Sequence, residues 1–372
     1  MAFNPCVNLF SKIYEENIKL GNFSFSFEKL AEDLKEITPV KRINNDSLCY
    51  DEENLSIFLT SKDCIIRNLC LNPSVQSNPE FSLEILRELY DFLNQQKFSD
   101  DSFAQCIFLI HNSKYEFGKK SFLNKILKKF SSIRISSLAN QYSNVFHELN
   151  SLFDKIISNS FIQKTIVNLI DEIAEKDAVR KTQFDFDFKC LTVKFIDSDF
   201  GKLLGFAGKN TVYVNTKPFI KFFTREGLEM YTYDQKILVI KMEFICTIVH
   251  EIAHVILRYR LNDLNKSSPH LKKLISYEKE EVEESNEKIL KSVDECGLES
   301  EKKFFKVPID WLSSLSDKKL NFEYLNELLK DVEHGQKLDF DSTKTEFLVY
   351  DETKLHKMAC YFIPSEDFFF KM

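Results

Sequence analysis

The longest apolar stretch of the chain runs from Ile237 to Leu257, and Lys241, Glu243, His250, Glu251 and His254 interrupt it. Its length would suit a bilayer, but five ionisable groups at those depths exclude a membrane span. The spacing predicts instead a long helix, from about Asp234 to Arg260, apolar enough to be buried in a protein core. Polar groups buried on such a helix are costly unless something satisfies them.

What could satisfy them is visible in the order His250-Glu251-Ile252-Ala253-His254. Four residues make slightly more than one helical turn, so the two imidazoles project from one face and converge. That pair suits a tetrahedral Zn2+, with room for a third protein ligand and a water. Glu251 lies one position after the first histidine, placed to take a proton from a water at the metal. Cys246 lies one turn before His250, where a small core residue is the expected reading. His147-Glu148 has no histidine at 151 and forms no second motif.

The rest of the composition narrows the class. A length of 372 residues suggests about two domains. With 50 Lys+Arg against 57 Asp+Glu the net charge is −7, and cutting at residue 180 leaves both halves acidic. Neither half has the positive excess that binding a phosphate backbone requires, so no nucleic-acid partner is expected. Lys12, Glu15, Glu16 and Lys19 break up the N-terminal segment where a secretory signal needs an apolar run. The 9 cysteines have no paired short spacing, which fits reduced thiols. A cytoplasmic protein without membrane insertion is the expectation.

Only 8 Gly and 8 Pro punctuate the chain, which favours long helices. Residues 1–180 read as a helical N-terminal region: Ser82–Gln95 and Val145–Ala174 repeat apolar residues at spacings of three and four. Residues 181–372 read differently. Leu191–Ile196 has strand character, and Leu203–Ala207 and Thr211–Asn215 read as two strands around Gly208-Lys209-Asn210. Four glycines (Gly201, Gly205, Gly208, Gly227) fall in this part of the chain. Helices are expected over about 277–305 and 320–333, with a short strand at Thr345–Tyr350. Strands, a long helix and further helices make the second half α+β.

Thr247 to Ile256 resembles the zincin metallopeptidases. The family's helix begins with Val or Thr, carries HE, two uncharged residues and H, and closes on uncharged and hydrophobic residues; each position is met. The similarity covers residues 185–305 at most. It implies a small sheet with an edge strand ahead of the active-site helix, where an extended peptide substrate adds by main-chain hydrogen bonds. Thr211, Val212, Tyr213, Val214 and Asn215 are the candidates for that strand. Metzincins would need Gly and His where this chain has Leu257 and Arg260, so that branch is excluded. Gluzincins take a glutamate from a later helix and use a second acid to orient a ligand histidine. Glu295 matches the third ligand, and Glu299, at i+4, the orienting carboxylate. Glu301 is the alternative for that second role; Asp294 and His270 are the alternatives to Glu295. Gly297 would let this helix approach the HExxH helix closely. A tetrahedral oxyanion would find donors among His334, Tyr350, His356 and Tyr361.

The resemblance thus implies a zinc-dependent peptidase with one Zn2+ per chain and a peptide or protein substrate. Two rivals stand beside it: a zincin-fold binding or scaffold protein without proteolytic activity, and a helical interaction protein that binds no metal.

Overall fold

A computed structural model describes residues 5–19, 26–35, 54–71, 83–95, 97–113, 127–138, 142–176, 185–200, 203–265 and 295–349. They fall into two compact units: the residues up to Ile135 with 262–265, and residues 136–261 with 295–349. The division therefore falls after Ile135, not at the expected 180/181. The reason is the destination of two helices expected in the N-terminal region, which pack on the long helix of the second unit.

The first unit contains α1 (Pro5–Lys19), α2 (Phe27–Lys35), α3 (Asn54–Leu71), α4 (Leu83–Asn94) and α5 (Asp100–Asn112). Helix α3 packs against α1, α2 and α5, and α1 also packs on α4. Ser99 starts α5 with a reciprocal cap, its Oγ accepting from Ser102 N while the Ser102 hydroxyl accepts from Ser99 N. One buried cation sits here. Lys62 Nζ donates to Leu93 O at 3.0 Å and to Gln95 O at the C-terminal end of α4, and lies 4.5 Å from the centre of the Phe58 ring.

In the second unit, α6 (Ser143–Ser158) and α7 (Ser160–Lys176) divide the periodic run expected from Val145 to Ala174. The break is Asn159. Its backbone is extended, and its Oδ1 accepts from Phe161 N and Ile162 N, capping α7. Three strands follow: β1 (Thr192–Asp197), β2 (Gly205–Ala207) and β3 (Thr211–Asn215). Then come α8 (Thr216–Phe223), α9 (Tyr233–Leu261), α10 (Cys296–Phe305), α11 (Trp311–Asp317) and α12 (Phe322–Glu333). The small sheet beside many helices agrees with an α+β class. Of the strand expected at Thr345–Tyr350, residues 345–349 give only an isolated bridge between Ile309 and Val349, and Tyr350 lies outside the described residues.

Helix α9 is the axis of the unit. Its 29 residues are buried almost continuously from Ile237 to Arg258, as a helix apolar on all sides must be. Helices α6, α7, α10, α11 and α12 and strands β2 and β3 pack around it. No helix among the described residues is long and apolar enough to cross a membrane.

Strand β3 lies between the other two, parallel to β1 and antiparallel to β2. Both of its edges are therefore paired, and the expectation that Thr211, Val212, Tyr213, Val214 and Asn215 form a substrate-binding edge is overturned. Asn215 has a different task. Its Nδ2 donates to Phe200 O at 3.3 Å and Leu203 O at 3.0 Å, while its Oδ1 accepts from Ser198 N and Lys217 N. One buried amide thus folds the connection between β1 and β2 and caps α8.

The end of the strand order on that side is β2. The pairings Asn215 N to Leu204 O and Gly208 N to Thr211 O turn the main-chain groups of Gly205 and Ala207 outward. All three residues of β2 are buried, and Ala207 O already accepts from Arg258 Nη1 at 3.1 Å.

Candidate metal centre

Helix α9 brings His250 and His254 onto one face, their ring centres 5.1 Å apart. The third member comes from outside any helix. Glu295 is the N-cap of α10, with an extended backbone, and its Oε2 accepts from Leu298 N. Ligand atoms of His250, His254 and Glu295 all lie within 4.8 Å of one another, and the three could hold a metal ion. Their exposures are 2% each, and that of Glu251 is 1%.

The donor set fits a cation better than it fits itself. Glu295 Oε1 pairs with His254 Nε2 at 2.7 Å. His250 Nε2, 3.9 Å from Glu295 Oε2, has no hydrogen-bond partner. Two ring nitrogens and a carboxylate converge with one nitrogen left open, an arrangement that a shared cation would satisfy.

Each imidazole is held by its other nitrogen. His250 Nδ1 is 2.9 Å from Glu301 Oε1, and His254 Nδ1 is 3.2 Å from Cys296 Sγ. Glu301 therefore occupies the orienting position expected of Glu299. Glu299 turns away, 38% exposed at its side chain, and pairs with Lys302 at 3.1 Å. The correction follows from the cap. Because Glu295 lies outside the helix, counting one turn from it misplaces the inward face, which is carried by Gly297 and Glu301, themselves one turn apart.

Gly297 has a specific reason to be glycine. A Cβ there would lie 2.4 Å from His250 Cδ2 and Nε2, so α10 reaches this depth only without a side chain at that position. Ser300 fixes the same approach by donating from Oγ to Val249 O at 3.0 Å.

Charge follows the geometry. Burial disfavours the charged form of His250, but Glu295 and the Glu301 hydrogen bond outweigh it and hold the imidazole up to about 9. Burial likewise pushes against ionised Glu295, but His250, His254 and the Leu298 N–H outweigh it and hold the carboxyl down to about 2. Glu251 is raised by burial, opposed by His250, His254 and Arg258. Its Oε2 has no hydrogen-bond partner. A Cβ built on Gly205 would lie 3.7 Å from Glu251 Cγ, so β2 runs closely past the general-base candidate.

The structure gathers His250, Glu251, His254 and Glu295 and leaves the other candidates elsewhere. Cys246 accepts from Trp311 Nε1 at 3.2 Å and is not among the ligand atoms. His334 is exposed at the C-cap of α12, and His147 is exposed on α6. His270, Asp294, Tyr350, His356 and Tyr361 lie outside the described residues. Sequence reasoning overlooked Arg258, two turns after Glu251 and 1% exposed. Its signal was a cation placed directly against the end of an apolar run.

No family model matches the chain, and no curated protein or solved structure matches it.

Proposed function

We propose that the chain is a zincin-like, zinc-dependent peptidase. The observation that carries this reading is the buried convergence of His250, His254 and Glu295 beside a carboxylate, Glu251, whose Oε2 has no hydrogen-bond partner. Two imidazoles and one carboxylate form a donor set suited to zinc, with one coordination position left over. Bound there, the ion supplies Lewis acidity toward a carbonyl and a water.

The chain's own residues do the remaining work. Glu301 and Cys296 fix the two rings, and the Leu298 N–H holds Glu295 Oε2. Glu251 accepts the proton of the attacking water on its carboxylate and returns it to the leaving amine nitrogen. Burial favours the protonated form that this return requires.

One observation favours a second reading, a metal-holding scaffold without hydrolysis: none of the four residues is more than 2% exposed. Elemental analysis of protein purified without added metal, beside peptide hydrolysis, separates the two. The peptidase reading expects about one zinc per chain, lost in His254→Ala and Glu295→Ala, and a Glu251→Gln variant that keeps zinc and loses hydrolysis. Zinc with no hydrolysis of any peptide in a diverse library would establish the scaffold. Wild-type protein free of metal would overturn both.

A further inference from the structure

His250 and His254 are supported unequally. The partner of His250 Nδ1 is a carboxylate oxygen, which when ionised only accepts, so in the neutral imidazole it fixes the proton on Nδ1 and leaves the Nε2 lone pair toward the ligand cluster. The partner of His254 Nδ1 is the sulfur of Cys296, buried at 0% exposure and 3.2 Å away. A thiol both donates and accepts weakly. If the sulfur accepts, His254 carries its proton on Nδ1 and Nε2 is free to ligate. If the S–H donates, the proton moves to Nε2 and the ring cannot ligate.

We propose that Cys296 is the positioning residue of His254: its sulfur accepts the Nδ1–H and holds the ring in the metal-ligating tautomer. The inference rests on the metal-centre reading above and adds a residue that touches no reacting atom.

Two further observations place the role on this side chain. Cys296 follows Glu295 directly as the first residue of α10, so the fixing of Glu295 by its cap bond also fixes the sulfur. The second is the position of His254 Nε2, which lies 2.7 Å from Glu295 Oε1 on the side of the ligand cluster, so that Nδ1 is the nitrogen left for an outer partner. The sulfur itself faces the far nitrogen of the ring and lies outside the group of ligand atoms.

The test is cobalt and zinc binding by the full chain and its Cys296→Ala and Cys296→Ser variants, with far-ultraviolet circular dichroism to confirm folding. Loss of an outer partner of a ligand histidine typically weakens metal binding about 10- to 100-fold, and Cys296→Ala is expected to fall in that range by chelator competition. Cys296→Ser, whose hydroxyl also accepts, is expected to recover most of the loss. Wild-type protein with cobalt should show tetrahedral ligand-field bands without a thiolate-to-cobalt charge-transfer band in the near ultraviolet. Such a band would make Cys296 a ligand and overturn the proposal, as would wild-type affinity in Cys296→Ala. Wild-type protein that binds neither metal would overturn the metal-centre reading and this inference with it. Metal bound equally by wild type and Cys296→Ala would overturn this inference alone.

Discussion

Each unit buries a basic side chain, and the two are treated in opposite ways. Lys62 in the first unit is closed off by its own surroundings: two carbonyls at the end of α4 accept from it, and aromatic faces cover it. Burial still dominates, lowering its pKa to about 8. His250 in the second unit is just as buried, yet three carboxylates, Glu295, Glu301 and Glu251, raise it to about 9 and one ring nitrogen keeps no partner. A buried base that is fully enclosed is explained by the fold. A buried base held between acids, with an atom left open, points to a ligand.

The largest expected effect separates the two directly. Replacing His250 with Ala should abolish metal binding, whereas Lys62→Met should leave the metal content of the protein unchanged; elemental analysis of both variants reads the difference. Metal loss in the lysine variant would break the contrast. Next in size is Gly297→Ala, which forces a methyl group into the His250 ring. It should weaken zinc binding at least about 10-fold and cost about 1–3 kcal/mol of stability, measured by chelator competition and denaturant unfolding.

The comparison of Glu301→Gln with Glu299→Gln sharpens the site itself. The first removes the charge beside His250 Nδ1 and should weaken metal binding about 10-fold. The second touches a half-exposed pair with Lys302 and should change stability by less than about 0.5 kcal/mol, with metal binding unaffected. Equal effects would return the orienting role to Glu299.

The smallest and most discriminating effect is in pH. In chelator-treated protein the His250 contribution is fully present below pH 6.5, its unfolded value, and is lost as pH rises through about 9. Lys62 has the opposite sign. Its folded pKa of about 8 lies below the unfolded 10.5, so its penalty holds below pH 8 and is relieved as pH rises to 10.5. Unfolding of wild type, His250→Gln and Lys62→Met across that range should give difference curves of opposite slope. Slopes of one sign would remove the distinction between the two bases.

Much of the second unit was legible because its signals are local. The apolar run and the i, i+4 histidines fixed α9, and Gly208-Lys209-Asn210 between alternating residues fixed the β2–β3 hairpin. What misled was non-local. Nothing within Thr211–Asn215 reveals that β1 returns parallel along its other edge. That pairing crosses an intervening hairpin, and with it an expected edge became a central strand. Glu299 failed for a subtler reason: a helix count began at a residue that caps the helix and does not belong to it. The first unit carried no motif, and even its periodic helices gave no clue that Ser143–Lys176 belongs with α9.

Glu295 and His254 are close in space but lie about forty residues apart along the chain, and one small ion shared by them would close that loop. A link of that length removes about 4 kcal/mol of conformational freedom from the unfolded chain by the loop-entropy relation used for covalent cross-links. A metal at this position would act as a reversible staple as well as a reagent. Stripping it would then loosen the attachment of α10 to α9 before it disturbed either helix.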